Sequence, residues 1–189
     1  SINAIEQRFT ENKIAAISPI GMAIANIARM KQKENIAIIN MEDKTTVTII
    51  VNQKVYSVDT LENGASEVLD SINAKENSYS KAYEICKNST IYTMEGQELQ
   101  DNENEYLDYI MPTLYKIAEQ TQNIIENSAI EIDRIYITGT LSVVNNIDLY
   151  FQEFFNTEKC EILRPFFIKD TIKGNIKDYV AGDSATAMA

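Results

Sequence analysis

A chain of 189 residues with 44% hydrophobic residues and only three prolines can bury one compact core or two intimate subdomains, and its composition is not that of a disordered tail. Its 17 basic and 28 acidic residues leave a formal charge of −11, which repels nucleic acid and anionic lipid and, with no basic patch in the sequence, sets nucleic-acid binding aside. Histidine is absent, which excludes Ser-His-Asp and Cys-His triads and the usual zinc sets, so any chemistry must rest on carboxylates, lysines, hydroxyls or a bound metal.

The first 35 residues read as a connecting layer: SINAIEQRFTEN as a helix, KIAAISPI as a short strand, and GMAIANIARMK as a second helix with Met22, Ile24, Ile27 and Met30 apolar. Opening on Ser1 rather than methionine suggests a cut chain. Neither a signal peptide nor a run of about 18 apolar residues able to span a bilayer is read in it. Strands are predicted at 36–41, 45–51 and 54–58, the last two joined by Asn52-Gln53 as a tight turn without the usual glycine. Gly64 precedes a helix with Val68, Leu69 and Ile72 on one side, and Ser80 starts another through Tyr83, Ile85 and Lys87. Residues 95–105, EGQELQDNENE, carry five acidic groups and no basic one, the pattern of a solvated loop.

Beyond it, apolar residues from Tyr106 through Ile110, Leu114, Ile117 and Thr121 to Ile125 recur at helical spacing, predicting a helix over 104–127 with Pro112 near its start or at a kink. Strands at 132–138 and 160–164, a helix at 146–155 and a closing helix from Ile176 complete the reading. A meander followed by alternating helices and strands predicts an α/β fold, a mixed five-stranded sheet covered by helices, with a small helical insertion at about 64–104. There is no internal repeat. Cys86 and Cys160 lie far apart with no CxxC spacing, so neither a zinc site nor a disulfide framework is signalled, and the cytosol fits.

Three segments are candidates for chemistry. In the turn after Ile39, backbone amides and the Lys44, Thr45 and Thr46 side chains are placed to contact a phosphate, or else the turn is a hairpin with its charges in water. Glu84 and Lys87 share one helix face, where a carboxylate accepts two ribose hydroxyls while the lysine stem flanks a purine; the plainer alternative is a surface ion pair. Gly139 breaks a strand into a loop and helix, an arrangement that brings backbone close to a base or phosphate, and is equally routine punctuation. Gly182, flanked by small residues, suggests close helix packing.

Taken together, these pieces resemble the second half of the actin, Hsp70 and FtsA superfamily, in particular the PilM-type proteins of type IV pilus assembly. IAIINMEDKTTVTIIVNQKVYSV is similar to that family's second phosphate segment and hairpin, Gly64 stands where its glycine precedes the next helix, and AYEICK resembles its Glu-x-x-Lys ribose contact. IDRIYITGTLSVVNNIDLYFQEFF is similar to the adenosine segment, while Arg164 to Phe166 and VAGDSATAMA resemble the closing strand and helix. The resemblance implies a ribonuclease H-like subdomain over 36–189, preceded by a crossover at 1–35, and a nucleotide site at Asn40, Lys44, Thr45, Thr46, Gly64, Glu84, Lys87, Gly139 and Thr140.

Departures from the family pattern weigh against ATP. Asn40, Met41 and Glu42 replace Asp, an apolar residue and Gly, and Gly139-Thr140 replaces a glycine pair. Asn40 has no charge to hold a metal-bound water, and Glu42 and Asp43 repel a polyanion that Lys44 offsets only in part. The family's first half, with its other phosphate loop and catalytic acid, is missing. What is implied is therefore a scaffold rather than an enzyme on its own, with ATP and Mg binding weak or lost. Its implied partner is a pilus-assembly inner-membrane protein presenting a cytoplasmic peptide, at the cytoplasmic side of the membrane without insertion into it, and a homo-oligomer is possible. The alternatives are an ATP-binding lobe completed by the missing half and an FtsA-like cell-division or filament protein.

Overall fold

Six consecutive apolar or amide side chains, Ile36–Met41, form strand β1, and all six are buried. A strand covered on both faces has no need of polar alternation, which is why this one reads as a continuous apolar run. It lies at the centre of a five-stranded mixed sheet of order β3-β2-β1-β4-β5, where β2 is Thr45–Val51, β3 Lys54–Leu61, β4 Arg134–Thr138 and β5 Cys160–Ile162. β1 pairs antiparallel with β2 and parallel with β4, so that Ile39 stands between Val47 and Ile137. The computed structural model describes residues 34–93 and 105–163. The expected elements at 1–31, all of the acidic loop except Glu105, Arg164, and the closing helix with Gly182 lie outside the described residues.

The hairpin between β2 and β3 turns on Asn52 and Gln53, with φ of 50° and 62°. Two left-handed residues in succession give the turn whose twist matches that of the strands, and asparagine tolerates that region better than most side chains. β3 runs on to Leu61, past the expected end at 58, because Asp59 and Thr60 keep the alternation and Leu61 returns to the core.

Four α-helices are described: α1 (Ala65–Glu76), α2 (Tyr79–Asn88), α3 (Leu107–Ser128) and α4 (Ile147–Phe155). α2 begins at Tyr79 because the Ser78 hydroxyl accepts the Lys81 amide at 3.3 Å as its cap. α3 continues on both sides of Pro112 and buries Ile110, Leu114, Ile117 and Thr121, one stripe along its length. That stripe joins Val68 and Ile72 of α1, Phe151 of α4 and the strand residues Ala37, Ile39, Val47, Ile135 and Ile137 in one core.

Candidate functional site

β1 and β4 run parallel and end side by side, with Asn40 opposite Thr138. Crevices at the carboxyl ends of adjacent parallel strands are where open α/β sheets hold ligands. Here the chain leaves β1 through Glu42, Asp43 and Lys44, and leaves β4 through Gly139 into a short 3-10 helix, Thr140–Val143, in a stretch read from sequence as a loop. Gly139 has φ 92°, and a Cβ there would lie 2.6 Å from the Met41 backbone. Only glycine permits this approach. The Thr140 hydroxyl then donates to Glu42 Oε2 at 2.7 Å, a bond across the gap between the two strand ends.

The far side of the turn rests on α1. The Ala65 amide donates to the Glu42 carbonyl at 2.7 Å, the Ser66 hydroxyl to the Asp43 carbonyl at 2.7 Å, and the Thr45 amide to the Asn63 carbonyl at 3.0 Å. Gly64 is required by space rather than by its backbone angle, since a Cβ would meet the Asp43 carbonyl oxygen at 2.4 Å. Helix N-termini bind anions through unpaired amides. In this helix the first amide is bonded to the turn it faces.

Charge at this end is mostly negative. Lys44 Nζ pairs with Glu62 at 2.6 Å, with both side chains well exposed. Glu67, in the first turn of α1, accepts from Asn63 at 2.6 Å and from Lys116 at 3.2 Å, and Gln120 donates to Asn63 at 3.2 Å. The Asn63 bond, with help from Lys116 and against a partial burial cost, holds the Glu67 carboxyl below its ordinary range. Sequence reasoning missed this network, although a glutamate three residues after the Gly64 cap is the spacing at which a first-turn carboxylate meets orphan amides.

The nine residues expected from sequence are distributed unevenly. Asn40, Lys44, Gly64, Gly139 and Thr140 belong to the strand ends and the turn just described. Thr45 is the first residue of β2 and fully buried, so its hydroxyl is withdrawn from the exposed arc in which it was expected, and Thr46 follows it in the strand opposite Asn40. Asn40 Oδ1 and Thr45 Oγ1 are buried without hydrogen-bond partners. Glu84 and Lys87 lie on α2, which packs against the 3-10 helix. The end of α2 is tied to the segment after Gly139, where the Asn145 amide donates to Ser89 and its side chain to the Lys87 carbonyl. Lys87 Nζ stands 3.9 Å from Glu84 Oε1, the long ion pair that the plainer alternative describes. Neither cysteine adds chemistry, since burial pushes the thiols of Cys86 and Cys160 up to about 12.

No protein-family model and no curated protein matches the chain. Solved structures do. A PilM-PilN type IV pilus biogenesis complex aligns at 12% identity with a TM-score of 0.68, covering 92% of this chain and 51% of that one. MreB5 of Spiroplasma citri bound to ADP aligns at 14% identity and TM-score 0.69, covering 86% and 60%. An archaeal actin homolog aligns at 14% identity and TM-score 0.58, covering 89% and 51%. The chain has the actin-like ATPase fold and spans about half the length of the structures it matches.

Proposed function

From an actin-like ATPase fold of half the usual span, we propose that this chain is the second half of an actin-like scaffold in the type IV pilus assembly platform, with residues 1–35 crossing over from the other half. It holds a short cytoplasmic peptide of an inner-membrane partner and does not turn over ATP. The observation that carries this reading is the Thr140–Glu42 bond, which fills the gap between strand ends with the protein's own donor and acceptor. The residues present do not fit a polyphosphate with its metal. The first amide of α1 is bonded to the turn, Lys44 is paired, and Glu42, Asp43 and Glu67 add negative charge at the same end.

The pilus setting draws its support from the likeness to a structure that holds PilM together with PilN. Among the described residues no helix is long and apolar enough to cross a membrane. Two titrations test the reading. Millimolar MgATP is expected to leave the melting temperature unchanged, whereas a ligand at about a hundred times its dissociation constant would add about 2.7 kcal/mol. A labelled cytoplasmic peptide of the inner-membrane protein encoded beside the chain is expected to gain anisotropy on binding; no gain sinks the scaffold.

One observation favours an ATP-binding lobe instead. The buried Asn40 Oδ1 lacks a donor at the position where the resemblance puts the metal-linked aspartate. A saturable MgATP shift abolished by Lys44→Ala or Glu84→Ala would establish that reading.

A further inference from the structure

Where α3 and α4 lie together, their outer sides carry a run of aromatic rings. Tyr115 of α3 is 52% exposed, and its ring meets Phe154 of α4 edge-on at 5.8 Å. Phe154 lies 6.3 Å from Tyr150 and 5.6 Å from Phe155, all three half-buried. Neither the Tyr115 nor the Tyr150 hydroxyl has a hydrogen-bond partner among the described residues. Burial first, and then Tyr115 beside it, raise the Tyr150 phenol above its ordinary value, so it stays a proton donor. Side chains three or four positions apart are neighbours on a helix surface. At that spacing from Tyr115 and Tyr150 within their helices the charged residues are Glu119 and Glu153, both acidic and exposed. Neither carboxylate has an ion-pair partner among the described residues. Lys116, next to Tyr115 in the chain, is held instead by Glu67 of α1 at 3.2 Å.

We propose that this face binds an arginine-bearing segment of a partner protein, with the guanidinium laid on the Tyr115 ring and bonded to Glu119. Ring faces are negative and attract cations, and the unpaired carboxylates beside them supply acceptors. Arginine suits the site better than lysine, because a planar guanidinium stacks on a ring while its edge bonds a carboxylate. The patch is spread along two helices rather than enclosed, which favours a protein segment over a small cation, whose binding takes a cavity. Charge selects against the other occupants. A second copy would bring Glu119 and Glu153 to the same acids, and anionic lipid is repelled by the charge of −11. The proposal does not rest on the pilus reading, since it names a chemistry that the peptide of any partner can carry.

The probe is a fluorescein-labelled peptide in which arginine alternates with leucine. Its anisotropy is expected to rise saturably with this chain, and its citrulline counterpart, which keeps the planar head without the charge, is expected to show no rise. Tyr115→Ala and Glu119→Lys are each expected to weaken binding about fivefold, the scale of one exposed cation–ring contact. Both positions are exposed, so both variants should melt near the wild-type temperature. Glu131→Lys makes the same charge change at an exposed position beyond the end of α3, and is expected to leave the affinity unchanged. That control separates the patch from the general field of an acidic protein. A wild-type chain without saturable binding, equal binding of the citrulline peptide, or equal losses from Glu131→Lys and Glu119→Lys would each overturn the proposal. So would a dimer in sedimentation equilibrium that Tyr115→Ala dissociates, which would give the face to a second copy.

Discussion

The strand β4 has two ends built in opposite ways. At its carboxyl end, Gly139 lies against the Met41 backbone and Thr140 is bonded to Glu42, so polar groups of the chain occupy the space. At its amino end, Ile125, Ile132, Ile135 and Phe155 border a cavity of about 230 Å³ that Glu126, Asp133, Arg134 and Lys159 rim with charge. Two charges of that rim are tied in place: Arg134 reaches Glu161 at 2.9 Å, and Asp133 accepts the Asn35 amide at 2.8 Å. Open space and the candidate site thus sit at different ends of one strand.

The sharpest way to test the contrast is to disrupt what both ends share. Ile137, the fourth of the five residues of β4, is fully buried between β1 and β5. Ile137→Asp should destabilise by several kcal/mol in chemical denaturation, because its charge would be buried without a partner. A loss under about 0.5 kcal/mol would mean that strand and core are wrongly joined.

The next effect separates the ends. Gly139→Ala should cost about 1–3 kcal/mol, from a left-handed backbone angle and from overlap with Met41, whereas Lys159→Ala at the cavity rim should stay within about 0.5 kcal/mol. Equal costs in urea melts would erase the distinction. The smallest effect is one of pH. The folded-state Glu67 carboxyl titrates below its unfolded value, so it stabilises the fold above the ordinary carboxylate range, and that contribution fades as pH falls through the lowered value. Urea midpoints for Glu67→Gln should therefore fall less steeply toward acid than those of wild type; parallel profiles would show that the Asn63 and Lys116 contacts do not matter.

Legibility in the sequence followed burial. β1 and β2 were readable to the residue because both are dominated by apolar and β-branched side chains, and α3 because its stripe repeats over many turns. The end of β3 was not, since Asp59 and Thr60 are polar, yet both pair with β2 and keep the alternation as far as the buried Leu61. Nor was the 3-10 helix, where the one local signal is the Ser142 hydroxyl and amide returning to the Gly139 carbonyl. At the site, sequence found the two glycines but not why they are needed, which is backbone meeting backbone from segments remote in the chain. It missed the Asn63–Glu67–Lys116–Gln120 network because that depends on α3 lying beside α1, a relation no local pattern encodes.

The parallel pairing of β1 with β4 also sets an order of assembly. Thr140 and Glu42 are separated by 98 residues, whereas β2 and β3 are joined by a two-residue turn. Closing the longer loop costs more chain entropy before any contact rewards it, so the meander should nucleate first and the strand ends of the candidate site should come together late. In pulse-labelled hydrogen exchange during refolding, the amides of β2 and β3 are expected to gain protection ahead of those of β4. A nascent chain would then carry β1 for a time with one edge unpaired, at the very strand whose side chains are the most apolar in the sheet.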